Sequence, residues 1–199
     1  LKQAGIGLAA GFAMGTLVLL PFLQGLDAPL QWLFEKYFGT MTHYSYASVN
    51  ALNLHYLLGG NWAPPEGARA IIGYLLTAAA ILFSVVVYLR RRDRTQLPML
   101  GALTYQLVYL LGVGMHERYL FPAFLLLLLA YVQRQDWRIL ALFSGFGILF
   151  YVNCGLLLQG LHLPQGFWWP GALLSLLYLG LGGVAVWTAL DLKTRRIPG

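Results

Sequence analysis

Six runs of apolar residues, at about 4–23, 67–89, 97–114, 118–132, 138–158 and 170–190, constrain this chain more than any other feature. A helix needs about 20 apolar residues to cross the hydrocarbon core of a bilayer, and each run meets or approaches that length. Composition agrees: 59% of the 199 residues are hydrophobic and only 10% are charged, against roughly 25% charged in a soluble domain. The expectation is an all-α, polytopic transmembrane bundle of about six spans, forming a single domain over 1–199. The first run lacks a cleavage site and is read as a span, not as a signal peptide. Cys154 is the only cysteine, which excludes an intrachain disulfide or a Cys-based metal site.

The net charge of +6 is explained by topology and does not point to a nucleic-acid partner, because the basic residues are interleaved with the apolar runs. Ten of the thirteen Lys and Arg residues (Lys2, Arg90, Arg91, Arg92, Arg94, Arg134, Arg138, Lys193, Arg195 and Arg196) fall in one set of loops. Only Lys36, Arg69 and Arg118 fall in the other. The positive-inside rule then places both termini in the cytoplasm, with anionic lipid a partner of the Arg90 to Arg94 run. A multi-pass protein of the bacterial inner membrane is the expected setting.

The outer side receives the segment 24–66, the turn Met115 to Arg118 and the loop Gln159 to Pro170. Within the first of these, Pro29 to Phe38 puts Leu30, Leu33, Phe34 and Tyr37 on one stripe, predicting an amphipathic helix lying on the membrane. Tyr44 to Leu58 reads as a second helical stretch, with Asn50 and Asn53 on one face and His55 nearby. Gly59-Gly60-Asn61 and Pro64-Pro65 end it. Gly7, Gly11 and Gly15 strip one face of the first span, a spacing that admits a close neighbouring helix. Trp62, Trp168 and Trp169 suit an interfacial belt.

The sharpest local signal is Met115-His116-Glu117-Arg118-Tyr119-Leu120-Phe121-Pro122, where three consecutive ionisable residues interrupt a long apolar stretch. A charged residue at the centre of a membrane helix costs about 2.5–3.5 kcal/mol on insertion scales, so such residues mark polar cavities and binding sites. An Arg beside a His at a membrane face suits an anionic ligand, since a guanidinium grips phosphate oxygens with two parallel hydrogen bonds. An interfacial turn in which Glu117 merely pairs with Arg118 is the structural alternative.

The run H-E-R-Y-L-F-P resembles a motif of bacterial members of the type C glycosyltransferase (GT-C) superfamily, multispanning enzymes that use polyprenyl-phosphate sugars. It is also similar to the H-K-E-x-R-F and H-E-K motifs of eukaryotic dolichol-pathway transferases. Ser48 to His55, S-V-N-A-L-N-L-H, resembles a second recurrent stretch of the bacterial group. The resemblance implies inverting transfer of a hexose, as in mannosyltransferases, from a polyprenyl-phosphate donor to an acceptor at the extracytoplasmic face. His116, Glu117, Arg118 and Tyr119 would hold the donor phosphate, and Asn50, Asn53 and His55 would contact donor or acceptor.

The family's general base is an acidic residue in the first outer loop, and its acidic pair has no counterpart here. Asp27 is the one candidate, set against a plain helix-cap role before Pro29. The expectation is therefore the C-terminal part of a larger enzyme, with the base in a missing N-terminal half or a partner subunit. A divalent cation is the one cofactor left open, held by acidic residues that this chain does not supply, since no ligand set for it is seen here. A transporter or flippase for an amphipathic anion, and a non-catalytic membrane subunit, are the competing readings.

Overall fold

The computed structural model describes residues 2–23, 25, 27–43, 46–159, 163–165 and 167–192, without the side chains at 2–4, 37 and 40–43. Lys193, Arg195, Arg196 and His162 lie outside the described residues, as does the Tyr37 side chain of the expected stripe. The chain divides into two compact units, residues 1–44 and 45–199.

The first unit holds α1 (Lys2–Leu23) and α2 (Pro29–His43). Among the described residues of this unit, none beyond the surrounding turns of α1 comes within 4 Å of where a Cβ would stand on Gly7, Gly11 or Gly15. In α2, Phe34 and Phe38 stack at 4.3 Å, and Gln31 Nε2 donates to Glu35 at 2.8 Å. Both are i, i+4 pairs, the spacing that puts neighbours on one helix face.

The second unit comprises β1 (Ser48–Val49), α3 (Leu54–Leu57), α4 (Ala68–Arg91), α5 (Leu97–Leu111), β2 (Met115–His116), α6 (Phe121–Arg134), α7 (Trp137–Leu158) and α8 (Trp169–Asp191). Short 3-10 turns at Arg94–Gln96 and Glu117–Leu120 lead into α5 and α6. Local chemistry sets the boundaries. Asp93 and Asp136 accept from the backbone N–H of Thr95 and Arg138 as N-caps, while Pro98, Pro122 and Pro170 occupy first-turn positions that need no N–H.

Among the described residues, four helices are long and apolar enough to cross a membrane: Gly5–Leu23 within α1, then α4, α7 and α8. The third and fourth apolar runs, short in the sequence, hold the short helices α5 and α6. α5 has 15 residues and α6 has 14, which at 1.5 Å per residue gives about 21–23 Å against a hydrocarbon core of about 30 Å. Their apolar runs are longer than the helices because the chain leaves helical geometry at Gly112 and re-enters it only at Glu117.

α5 lies at the centre of the unit, packed against α4, α6 and α8. Its Leu100, Leu103, Tyr109 and Leu110 meet Leu127 of α6, Phe146 of α7 and Tyr178 of α8 in one buried core. Small residues permit the close approaches: Ala123 and Ala130 on α6, and Gly182, Ala185 and Ala189 on α8. The opposite faces of α4, α7 and α8 expose Leu75, Leu82, Ile148, Tyr151 and Leu176, a bare apolar surface of the kind lipid covers.

At the end where α4 meets α5, the charges are built into the fold. Arg134 Nη1 donates to Asp93 at 3.1 Å and to Thr95 Oγ1 at 2.6 Å, with both charged side chains almost fully buried. Arg91 donates to the carbonyls of Ala189, Leu190 and Leu192, closing the last turn of α8. Arg138 pairs with Asp136 and Asp191 and lies 5.0 Å over the Trp187 ring. Arg90, Arg92 and Arg94 remain exposed, so the basic run divides into one structural residue and three surface charges.

Candidate functional site

The other end of the second unit is assembled from three stretches distant in sequence. β1 runs parallel to β2, with Ser48 opposite Met115 and Val49 opposite His116. Single bridges add Ser48 to Asn61 and Asn50 to His116, and Gly114 N donates to Ala47 O at 3.1 Å. The turn after α5 needs glycine twice. Gly114 has φ +73°, and a Cβ on Gly112 would stand 2.6 Å from Val108 O and 2.8 Å from Thr77 Oγ1.

This geometry corrects the helical reading of Tyr44 to Leu58. Among the described residues of this stretch only Leu54–Leu57 is helical, and β1 before it is extended, with Asn50 left-handed at φ 55°. Asn50 and Asn53 therefore do not share a helix face. The apolar spacing that imitates a helix here comes from burial on all sides, since 47–53 is buried without exception.

The asparagines are tied to the backbone. Asn53 Oδ1 caps α3 by accepting from Tyr56 N at 3.0 Å, and its Nδ2 donates to Tyr109 O and Gly112 O at 3.1 and 3.2 Å. His55 Nε2 contacts Leu111 O at 3.0 Å. Both residues thus satisfy carbonyls at the C-terminus of α5, which have no partner within the helix. Asn50 Oδ1 accepts from Trp62 Nε1 at 3.0 Å, and its carbonyl accepts from Asn153 Nδ2 of α7 at 3.1 Å.

Two organising residues escaped the sequence reading. Asn61, 1% exposed, accepts from Asn50 N at 2.8 Å and donates to Leu163 O and Pro164 O at 3.2 and 3.1 Å. Asn153 ties α7 to the same loop. A polar residue in an apolar run was the only available signal, and in Asn153 it was present.

On this support sits the ionisable turn. His116 is 4% exposed, with Nδ1 3.9 Å from Glu117 Oε2 and its ring 5.1 Å from that of Tyr119. Burial, reinforced by the Arg118 charge and opposed by Glu117, lowers its pKa below the usual imidazole value. Burial likewise lowers that of His55. Arg118 Nη1 lies 3.3 Å from Glu117 Oε1, yet the Arg118 side chain is 60% exposed while Glu117 is 15% exposed. The guanidinium also lies 5.8 Å over the Tyr119 ring.

Beside the turn, between α5 and α6, lies a cleft of about 560 Å³. Tyr105, Val108, Met115 and Phe121 make its wall apolar, and Arg118 and Tyr119 belong to the same lining.

No family model, curated protein or solved structure matches this chain. Asp27 lies in the first unit at an exposed bend. Among the described residues, no three His, Cys, Asp or Glu side chains gather closely enough to hold a metal ion. What the turn and the cleft offer together is a cation at the edge of an apolar trough, with a carboxylate fixing the cation's approach.

Proposed function

We propose that this chain is the donor-holding part of a membrane glycosyltransferase that moves a sugar from a polyprenyl-phosphate carrier to an acceptor hydroxyl at the extracytoplasmic face. The observation that carries the reading is Arg118 in the lining of an otherwise apolar cleft. An isoprenoid chain needs an apolar trough, and its phosphate needs a cation placed where the trough ends. Arg118 can meet a phosphate with paired, charge-assisted hydrogen bonds. Glu117 restrains the guanidinium through their ion pair, and His116 lies beside Glu117 and the Tyr119 ring.

In the reaction, the acceptor oxygen attacks the anomeric carbon, the bond from that carbon to the phosphate oxygen breaks, and the phosphate leaves with the electron pair. The developing charge on the leaving phosphate is stabilised by Arg118, a group more useful in the transition state than in the ground state. The acceptor proton passes to a carboxylate that we do not assign among the described residues. Asn50, Asn53 and His55 serve in this proposal mainly as supports that fix the turn's position.

The proposed setting has six crossings, with α5 and α6 as short spans joined at headgroup depth and α2 lying at the interface. Both termini face the cytoplasm, as the distribution of Lys and Arg favours. The inner membrane of a bacterium and the GT-C superfamily are parts of the same proposal, supported by the H-E-R-Y-L-F-P and S-V-N-A-L-N-L-H motifs.

A photoactivatable polyprenyl-phosphate probe tests the reading. It should crosslink to the cleft wall, and Arg118→Ala should reduce capture by about 10- to 100-fold, the weight of a charge-assisted hydrogen bond of about 1.5–3 kcal/mol. Arg118→Lys should recover part of that loss. Equal capture by wild type and Arg118→Ala, with both eluting as folded protein, would remove the donor-site assignment.

A further inference from the structure

Below the turn, α5, α7 and α8 carry buried polar side chains whose hydrogen bonding is incomplete. Gln106 is 0% exposed, and neither its Nε2 nor its Oε1 makes a hydrogen bond to a described residue. Tyr109 lies one helical turn further along the same buried face of α5, with its ring 5.7 Å from that of Tyr178 on α8. The two hydroxyls approach each other, and Tyr109 approaches Asn153, yet neither hydroxyl makes a hydrogen bond of good geometry. Asn153 Oδ1 and Ser175 Oγ, both on 0% exposed residues, are in the same condition.

Burying one such group without a partner costs about 1–3 kcal/mol, and native proteins leave very few. Here five side chains from three helices share the deficit. Hydrophobic packing does not explain the choice of residues: Leu at 106 and Phe at 109 and 178 would fill comparable space without a polar atom. A small ligand that both donates and accepts, and that makes two to four hydrogen bonds, satisfies all of them. Water is that ligand.

We infer that ordered water molecules occupy the interior of this bundle among Gln106, Tyr109, Asn153, Ser175 and Tyr178, completing the hydrogen bonding of α5, α7 and α8. The site is closed, since all five residues are at most 1% exposed. Of the five residues, Tyr109 alone also belongs to the cleft lining. The inference holds whether or not the chain transfers a sugar.

X-ray hydroxyl-radical footprinting of the detergent-solubilised or nanodisc-embedded chain tests it, because radiolysis generates radicals from bound as well as bulk water. Phe146 is the internal control: it is also 0% exposed, and its ring lies 6.0 Å from that of Tyr178. After correction for intrinsic reactivity, Tyr109 and Tyr178 should be oxidised several-fold faster than Phe146. With radicals produced in bulk solution by peroxide photolysis, all three should stay at background. Oxidation of both tyrosines at the Phe146 rate under X-rays would overturn the inference. So would their oxidation by the bulk radical source, which would show open solvent access in place of bound water.

Discussion

Asn61 and Asn50, 11 residues apart, hold each other from both directions: the Asn50 backbone N–H donates to Asn61 Oδ1 at 2.8 Å, and Asn61 Nδ2 lies 3.4 Å from Asn50 Oδ1. The same Nδ2 reaches the carbonyls of Leu163 and Pro164, more than 100 residues away. One carboxamide therefore fixes the left-handed backbone at Asn50 and pins a loop from another part of the chain. Asn61→Ala should lower stability by about 1–3 kcal/mol for each group left without a partner. Hydrogen–deuterium exchange should rise at 163–165. Asn61→Asp should release the same loop, because a carboxylate has no N–H to give to the two carbonyls.

The buried pair of Arg134 and Asp93 makes the opposite end of the unit sensitive to single changes. Asp93→Asn leaves the guanidinium without its counter-charge in a site almost closed to solvent, and should cost about 3–5 kcal/mol. The double variant Asp93→Leu with Arg134→Met should recover most of that loss. A thermal-unfolding series in detergent reads both effects. A double variant less stable than Asp93→Asn alone would show that Thr95 and its neighbours need the charges.

At Gly114 the backbone takes φ +73°, and a Cβ would meet open space. Conformation alone is therefore at stake. Gly114→Ala should cost about 1–2 kcal/mol, the price of a left-handed residue with a side chain, and Gly114→Asn distinctly less. The melting temperatures of the two variants should separate in that order.

Acidification should weaken the fold through His116 and His55. Both have pKa values lowered by burial, so the folded chain binds fewer protons at these positions than the unfolded chain, whose histidines titrate near about 6.5. The stability they contribute is fully present above that value and is lost as pH falls through the folded-state pKa values. The melting temperature should decline between about pH 7.5 and 5. His116→Asn should flatten the decline, with a lower plateau at neutral pH.

The four long apolar helices and the placement of the ionisable turn between α5 and α6 could be read from sequence, because both depend on runs of adjacent residues. The shortness of α5 and α6 was legible too, but not the point at which α5 ends. Gly112 and Gly114 break the helix through a close contact and a positive φ, and these appear only when Val108, Thr77 and Ala47 are in place. The stretch before α3 was misread for a related reason. Asn50 leaves helical geometry because β1 pairs with β2, a strand more than 60 residues later, and local spacing carries no trace of that partner. The importance of Asn61 and Asn153 was equally hidden, since each acts on backbone groups far away in the chain.

The residues that support the ionisable turn and those that line the cleft are almost separate sets. Asn50, Asn53, Asn61 and Asn153 act on the backbone, whereas Tyr105, Val108, Met115, Phe121 and Pro122 form a wall. Evolution can thus reshape the wall without dismantling its foundation. Relatives of this chain should keep the four asparagines while their cleft residues diverge, so that one inherited frame accommodates occupants of different girth.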